Sequence, residues 1–246
     1  MKAIVYTEYG SPDLLQLKEI EKPTPKDDQV LVKLHAVSLN RSDWEGLIGK
    51  PLYARIGGLR KPGRQILGSD IAGRIETVGS AVTRFKPGDE VYADIMWTMG
   101  GFAEYVCVRE KDLALKPPGM TFEQVAAIPQ AAVIALQGIR DKGKVQPGQH
   151  VLINGAGGGG GTFAMQLAKL YGAEVTGVDN TEKLGFMRSI GADHVIDYTR
   201  EDFTRNGKQY DLILDLIAYR SIFDYKRALK PNGSYYAVGG SLATFF

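Results

Sequence analysis

A single cysteine, Cys107, stands in 246 residues. No internal disulfide can form, and the expectation is a reducing, cytoplasmic setting. A structural zinc site made mostly of cysteines is excluded as well. Histidine is scarce: His35, His150 and His194 lie far apart, and none belongs to an HExxH-type pair. No metal ligand set is expected. Charge of one sign is also lacking. The 30 Lys and Arg against 28 Asp and Glu leave a formal net charge of +2, too weak and too scattered for a nucleic-acid surface. No apolar run reaches the roughly 18 residues of a membrane span. The opening "MKAIVYTEYG" lacks a signal peptide's apolar region and cleavage site. Neither nucleic acid nor membrane is expected as a partner.

What remains is patterned in two styles. Up to about Pro118 the chain shows short β-rich runs separated by turn residues: "KAIVYTEY", "QVLVKLHAVSLN", "IAGRIETVG", "DEVYADI" and "FAEYVCVRE". Without helical periodicity, these suggest a partly closed β-barrel. Then "TFEQVAAIPQAAVIALQGI" has Thr121 as N-cap of a helix that Pro129 should divide. From His150 onward apolar strands alternate with helices closed by Gly172 and Gly191, and a last helix is expected to stop at Pro231. Such alternation predicts right-handed βαβ units in a doubly wound parallel sheet of order 3-2-1-4-5. The expected domains are 1–122 and 123–246.

Glycine is abundant, with 30 residues, and five run together from Gly157 to Gly161. They occupy the first strand-to-helix turn of the alternating half. There a dinucleotide-binding fold brings bare backbone against a pyrophosphate. The pattern reads Ala156-x-Gly158-x-x-Gly161, with Ala156 in the first glycine's place. Gly158 would admit the phosphates and Gly161 would let helix and strand pack closely. Gly157, Gly159, Gly160 and Thr162 complete the candidate loop. Asp179 ends the second strand, where a carboxylate accepts from a ribose 2′-OH and repels a 2′-phosphate.

On these residues the chain resembles the zinc-independent quinone oxidoreductase/ζ-crystallin group of the medium-chain dehydrogenase/reductase superfamily. "GQHVLINGAGGGGGTFAMQLAK" falls on its signature at Gly148-Gln149, Leu152, Gly158-Gly159, Gly161, Gln166 and Lys169. "VSLNRSDW", "LGSDIAGRIETVGSAVTRFKPGDEV" and "GGFAEYV" resemble its GroES-like catalytic domain. The resemblance implies an α/β protein, a GroES-like domain followed by a Rossmann-type domain. It implies hydride transfer from NADPH to a quinone, enone or other electrophilic small molecule. Where zinc enzymes of the superfamily carry ligands, this chain has Asn40, Ser69-Asp70 and Ala131 or a neighbour, so zinc is not expected. The implied substitutes for a metal are Asn40, as an amide donor to the developing oxyanion, and Tyr53, as phenolic donor. Asn40 could equally support the barrel, Tyr53 could equally be a surface aromatic, and Asp43 reads as structural. Lys183 and Tyr198 match adenosine-side contacts of NADPH-dependent members, tilting the cofactor from the NAD that Asp179 favours toward NADP. Members of the group are longer and add a further sheet strand through which many dimerise. The expectation here is an impaired family dimer. The rival reading is a nucleotide-binding protein of structural or regulatory role with little turnover.

Overall fold

The computed structural model describes residues 1–238, which form two compact units, Met1–Gln130 and the chain from Ala131 onward. In the first, β1 (Lys2–Val5) and β2 (Gln16–Glu19) pair as an antiparallel ribbon. Five further strands, β3 (Gln29–Ser38), β4 (Asp70–Val78), β5 (Glu90–Asp94), β6 (Tyr105–Arg109) and β7 (Ala114–Leu115), form an antiparallel sheet. Its order is β6-β3-β4-β5-β7. Alternation turns one face inward: Val30, Val32, Ile71, Ile75, Val91, Val106 and Val108 make its core. This is the expected GroES-like sheet.

Two local features depart from the sequence reading. The run "QVLVKLHAVSLN" ends as a strand at Ser38, and the next residues form a helix, α1 (Arg41–Ile48). Asn40 is its N-cap, and the Asp43 carboxylate accepts the Asn40 N–H at 2.8 Å. Gly49, at φ 63°, closes it. The domain boundary expected at 122/123 also moves. The division falls inside α3 (Pro129–Leu136), because the preceding segment packs on the barrel. Thr121 caps α2 (Phe122–Ala126) as expected, and Val125 and Ala126 are buried with Ala72 of β4. The divide between α2 and α3 at Pro129 is as expected, and a π-type turn over Gln137–Lys142 follows.

The second unit carries β8 (His150–Asn154), α4 (Gly159–Leu170), β9 (Glu174–Asp179), α5 (Leu184–Ser189), β10 (His194–Asp197), β11 (Tyr210–Asp215), α6 (Ile222–Ala228) and β12 (Leu229–Ala237). The strands are parallel in the order β10-β9-β8-β11-β12, the expected Rossmann-type 3-2-1-4-5. Both faces are covered. Val151, Ile153, Val175 and Leu212 pack with Ala164, Met165 and Ala168 of α4, while Leu152, Val178 and Ile213 pack with Phe203, Tyr225 and Ala228. The helix expected to stop at Pro231 ends earlier, at Ala228. Pro231 lies within β12, an edge strand among the described residues, where a missing N–H interrupts no ladder. Gly239 and Gly240 of the expected strand "SYYAVGG" lie outside the described residues.

Candidate active site

The glycine run is ordered, and its members do different jobs. Gly155, at φ 84°, makes the turn out of β8. Ala156 keeps the first place of the Ala156-x-Gly158-x-x-Gly161 spacing, and Gly155, just before it, supplies the left-handed backbone of the turn. Ala156 is fully buried, its N–H on Val178 O at 3.1 Å, and it contributes packing rather than conformational freedom. Gly158 is the N-cap of α4, extended and without a side-chain cap. A Cβ there would meet only Gly155 O, at 3.3 Å. At Gly161 a Cβ would stand 2.3 Å from Gly155 O and 2.6 Å from Ala156 Cα, so this glycine permits the close approach of helix and strand. Gly159, Gly160 and Gly161 open the helix, and N–H groups there have no carbonyl one turn back. The Thr162 hydroxyl donates to Gly159 O at 2.8 Å and braces the same turn. Donors at a helix start, behind an N-cap that carries no side chain, fit a dinucleotide pyrophosphate.

Asp179, Lys183 and Tyr198 are brought together at the end of β9. Asp179 is 7% exposed. Its Oδ2 accepts the Gly157 N–H and its Oδ1 the Asn180 N–H, both at 2.9 Å. Lys183 Nζ lies 3.4 Å from Oδ1. A Cβ on Gly157 would stand 2.5 Å from Lys183 Cδ, so the aliphatic part of Lys183 lies along the loop. Tyr198 gives its backbone N–H to Asp179 O at 3.1 Å and leaves its ring half-exposed. The sequence reading set Asp179 and Lys183 against one another; in the structure they are an ion pair that also ties down Gly157.

In the first unit, Asn40 is half-buried, and its Nδ2 donates to Ser38 Oγ at 3.3 Å and Ser69 Oγ at 3.2 Å. Asp43 is structural: its Oδ1 takes the Gly68 N–H at 2.9 Å, while Oδ2 holds Asn40. Tyr53 lies in a 3-10 turn, Leu52–Arg55, half-exposed, and donates to Glu45 Oε2 at 2.8 Å. Burial first, then Glu45, pushes its phenol above the ordinary tyrosine value. No hydrogen bond joins Asn40 to Tyr53 among the described residues.

Sequence reasoning passed over Asp70. It is fully buried; its Oδ2 accepts the Gln130 N–H at 3.0 Å, and its Oδ1 has no hydrogen-bond partner. Burial first, with Asp94 and Asp43 adding to it, pushes its carboxyl up to about 6. The only hint was its place beside Ser69 in "GSDIAG". As for zinc, amide and hydroxyl groups at Asn40 and Ser69 are not the thiolate and imidazole donors that zinc takes. Among the described residues, no group of three or more His, Cys, Asp or Glu is placed to hold a metal.

Residues 26–118 match the alcohol dehydrogenase GroES-like domain family, and residues 159–245 the zinc-binding dehydrogenase family. The chain is 36% identical over 252 residues to a 2-methylene-furan-3-one reductase of Solanum lycopersicum, covering 98% of this chain and 63% of that protein. It is 38% identical over 252 residues to an NADPH-dependent alkenal/one oxidoreductase of Arabidopsis thaliana, with the same 98% and 63% coverage. It therefore spans less than two thirds of the length of these relatives. Among solved structures, a quinone oxidoreductase from Coxiella burnetii superposes with a TM-score of 0.84 at 30% identity, over 96% of this chain and 74% of that one.

Proposed function

The chain belongs to the quinone oxidoreductase-like group of the medium-chain dehydrogenase/reductase superfamily, and from that membership we propose that it is an NAD(P)H-dependent oxidoreductase. Its substrates in this reading are quinones, enones or similar electrophilic small molecules, and it works without zinc. The observation that carries the reading is the first strand-to-helix turn. There the extended Gly158 N-cap opens onto unpaired helix-start donors, with the Asp179–Lys183 pair beside Gly157.

Gly158 to Gly161 would hold the pyrophosphate, and Asp179, Lys183 and Tyr198 the adenosine ribose. Lys183, 43% exposed, is the group available to a 2′-phosphate, which supports NADP over NAD. Reduced nicotinamide, when bound, supplies a hydride equivalent.

The residues of the first unit then have to manage negative charge on the substrate oxygen. The two Asn40 bonds, at 3.2 and 3.3 Å, are long and end on neutral hydroxyls. A charged enolate or quinol oxygen outcompetes such acceptors for the same amide hydrogens. Tyr53 holds its proton on Glu45 at rest. An enolate is a stronger base than a carboxylate and can replace Glu45 as acceptor, which makes Tyr53 the proton donor of this reading.

The test is a panel of quinones, enones and aldehydes run with NADPH and with NADH. Turnover of an enone or quinone by the reduced cofactor is the expected result. Cofactor binding without turnover of any of them would favour the structural or regulatory alternative.

A further inference from the structure

Asp70 is a buried carboxyl that the proposed chemistry leaves unused, and its surroundings are unusual. It opens β4, with Ser38 of β3 opposite it on one side and Asp94 of β5 on the other. From α1 it is faced by Asp43, and from the first turn of α3 by the Gln130 backbone N–H. The charged groups acting on it are thus Asp94 and Asp43, both acidic. Each of those two has backbone donors of its own: Asn40 and Gly68 for Asp43, Met96 for Asp94. Asp70 has a single donor and an orphaned Oδ1. A buried ionised carboxylate with one oxygen unpaired is costly. Of the three, Asp70 gains most by holding a proton.

We propose that Asp70 is a positioning residue for Asn40, its protonation state deciding whether the Asn40 amide hydrogens face the serine hydroxyls or are drawn onto the Asp70 carboxylate. This inference rests on the role given above to Asn40 at the substrate oxygen. With Asp70 neutral, Asn40 Nδ2 rests on Ser38 and Ser69, weak acceptors that a substrate oxyanion displaces. With Asp70 ionised, its unpaired Oδ1 becomes the strongest acceptor near that amide. The Asn40 amide already acts to favour the charged form of Asp70, the sign such a competition requires. A carboxylate that captures the amide withdraws the donor from the substrate. Substitution of Asp70 by Asn preserves an acceptor for the Gln130 N–H and cannot ionise.

The first experiment reads the coupling without turnover. The Asp70 carboxyl carbon and the Asn40 side-chain amide nitrogen are followed by NMR from pH 4.5 to 8, the amide being assigned by its absence in Asn40→Ser. The expected result is a common midpoint, well above the ordinary aspartate value, and a flat amide shift in Asp70→Asn. An Asp70 carboxyl that titrates like an exposed aspartate, or an Asn40 amide that ignores it, overturns the proposal. The wild-type titration decides even if Asp70→Asn does not fold. The second experiment measures NADPH oxidation by a simple quinone. Wild-type kcat should fall by about tenfold per pH unit above the Asp70 midpoint, as a single ionisation requires. Asp70→Asn should flatten that limb and leave KM for NADPH unchanged. The wild-type limb persisting in a folded Asp70→Asn overturns the proposal. A chain that turns over no substrate overturns the proposed function instead, while the NMR coupling still stands or falls on its own.

Discussion

Nζ of Lys183 stands 3.4 Å from Oδ1 of Asp179, and the other oxygen of the same carboxylate holds the Gly157 N–H at 2.9 Å. One carboxylate therefore links the glycine loop to the cation beside it. In the function proposed above, cofactor choice and loop geometry are coupled through that link.

The coupling dictates which substitution separates them. Asp179→Asn keeps an acceptor for Gly157 and removes the charge that opposes a 2′-phosphate. It should raise the preference for NADPH over NADH by about tenfold, the equivalent of roughly 1.4 kcal/mol. Lys183→Ala should shift preference the other way by a similar factor. Steady-state kinetics or calorimetry with each cofactor reads this directly. An unchanged preference in both variants would mean that the ribose is held elsewhere.

Two glycines three residues apart should respond oppositely. Gly158→Val places its Cβ 3.3 Å from Gly155 O, a single tight contact that a small shift of the turn relieves, on extended backbone that valine accepts. It should cost cofactor affinity more than about tenfold while leaving the melting temperature nearly unchanged. Gly161→Ala puts a methyl 2.3 Å from Gly155 O. The expected cost is about 1–3 kcal/mol of stability, as for overpacking generally. Calorimetric titration with paired thermal melts distinguishes them. A folded Gly158→Val with wild-type affinity would remove the phosphate from this loop.

The parallel sheet was legible because its strands are short apolar runs punctuated by Gly172 and Gly191, at φ 78° and 110° in the structure. The loop was legible because bare backbone is written as glycine. Other features left weaker marks. All four residues of β2 are exposed, so it has no alternation to read. α1 follows directly on a strand, and its mixed face hid behind the β-rich pattern of "VKLHAVS"; its cap pair, Asn40 and Asp43, was the available signal. The left-handed turn at Gly155 was masked by five more conspicuous glycines. Asp70 could not be found from pattern, because its state depends on which side chains three other elements bring to it.

At the carboxyl end of β11, Asp215 is fully buried and fully partnered. Its Oδ1 accepts from Asn154 Nδ2 at 2.8 Å and from the N–H groups of Ile217 and Ala218, and its Oδ2 takes the Tyr235 hydroxyl at 3.0 Å. Burial, with Asp215 adding to it, holds the phenols of Tyr225 and Tyr235 well above the ordinary value. Asp215→Ala orphans several donors at once and should cost about 3 kcal/mol or more. Asp215→Asn, which keeps one acceptor oxygen, should cost less. A lower urea midpoint at unchanged m-value is the expected readout.

The last expectation concerns pH and follows from Asp70 alone. Burial, reinforced by Asp94 and Asp43, lifts its carboxyl to about 6 against the opposing pull of the Gln130 N–H and the Asn40 amide. An exposed aspartate titrates at about 3.9. Between those values the folded chain retains a proton that the unfolded chain has released. Asp70 thus favours the folded state fully below about pH 4, and this advantage is lost as the pH rises through about 6. A shift of about two units corresponds to roughly 3 kcal/mol. Asparagine at this position never ionises. The stability of Asp70→Asn relative to wild type should therefore improve between pH 4.5 and pH 8 by roughly 2 kcal/mol, the rest of the advantage being already lost at pH 4.5. Urea unfolding of both proteins at the two pH values measures it. A stability difference that does not change with pH would mean that Asp70 ionises as an ordinary surface aspartate does, and that its burial carries no electrostatic cost.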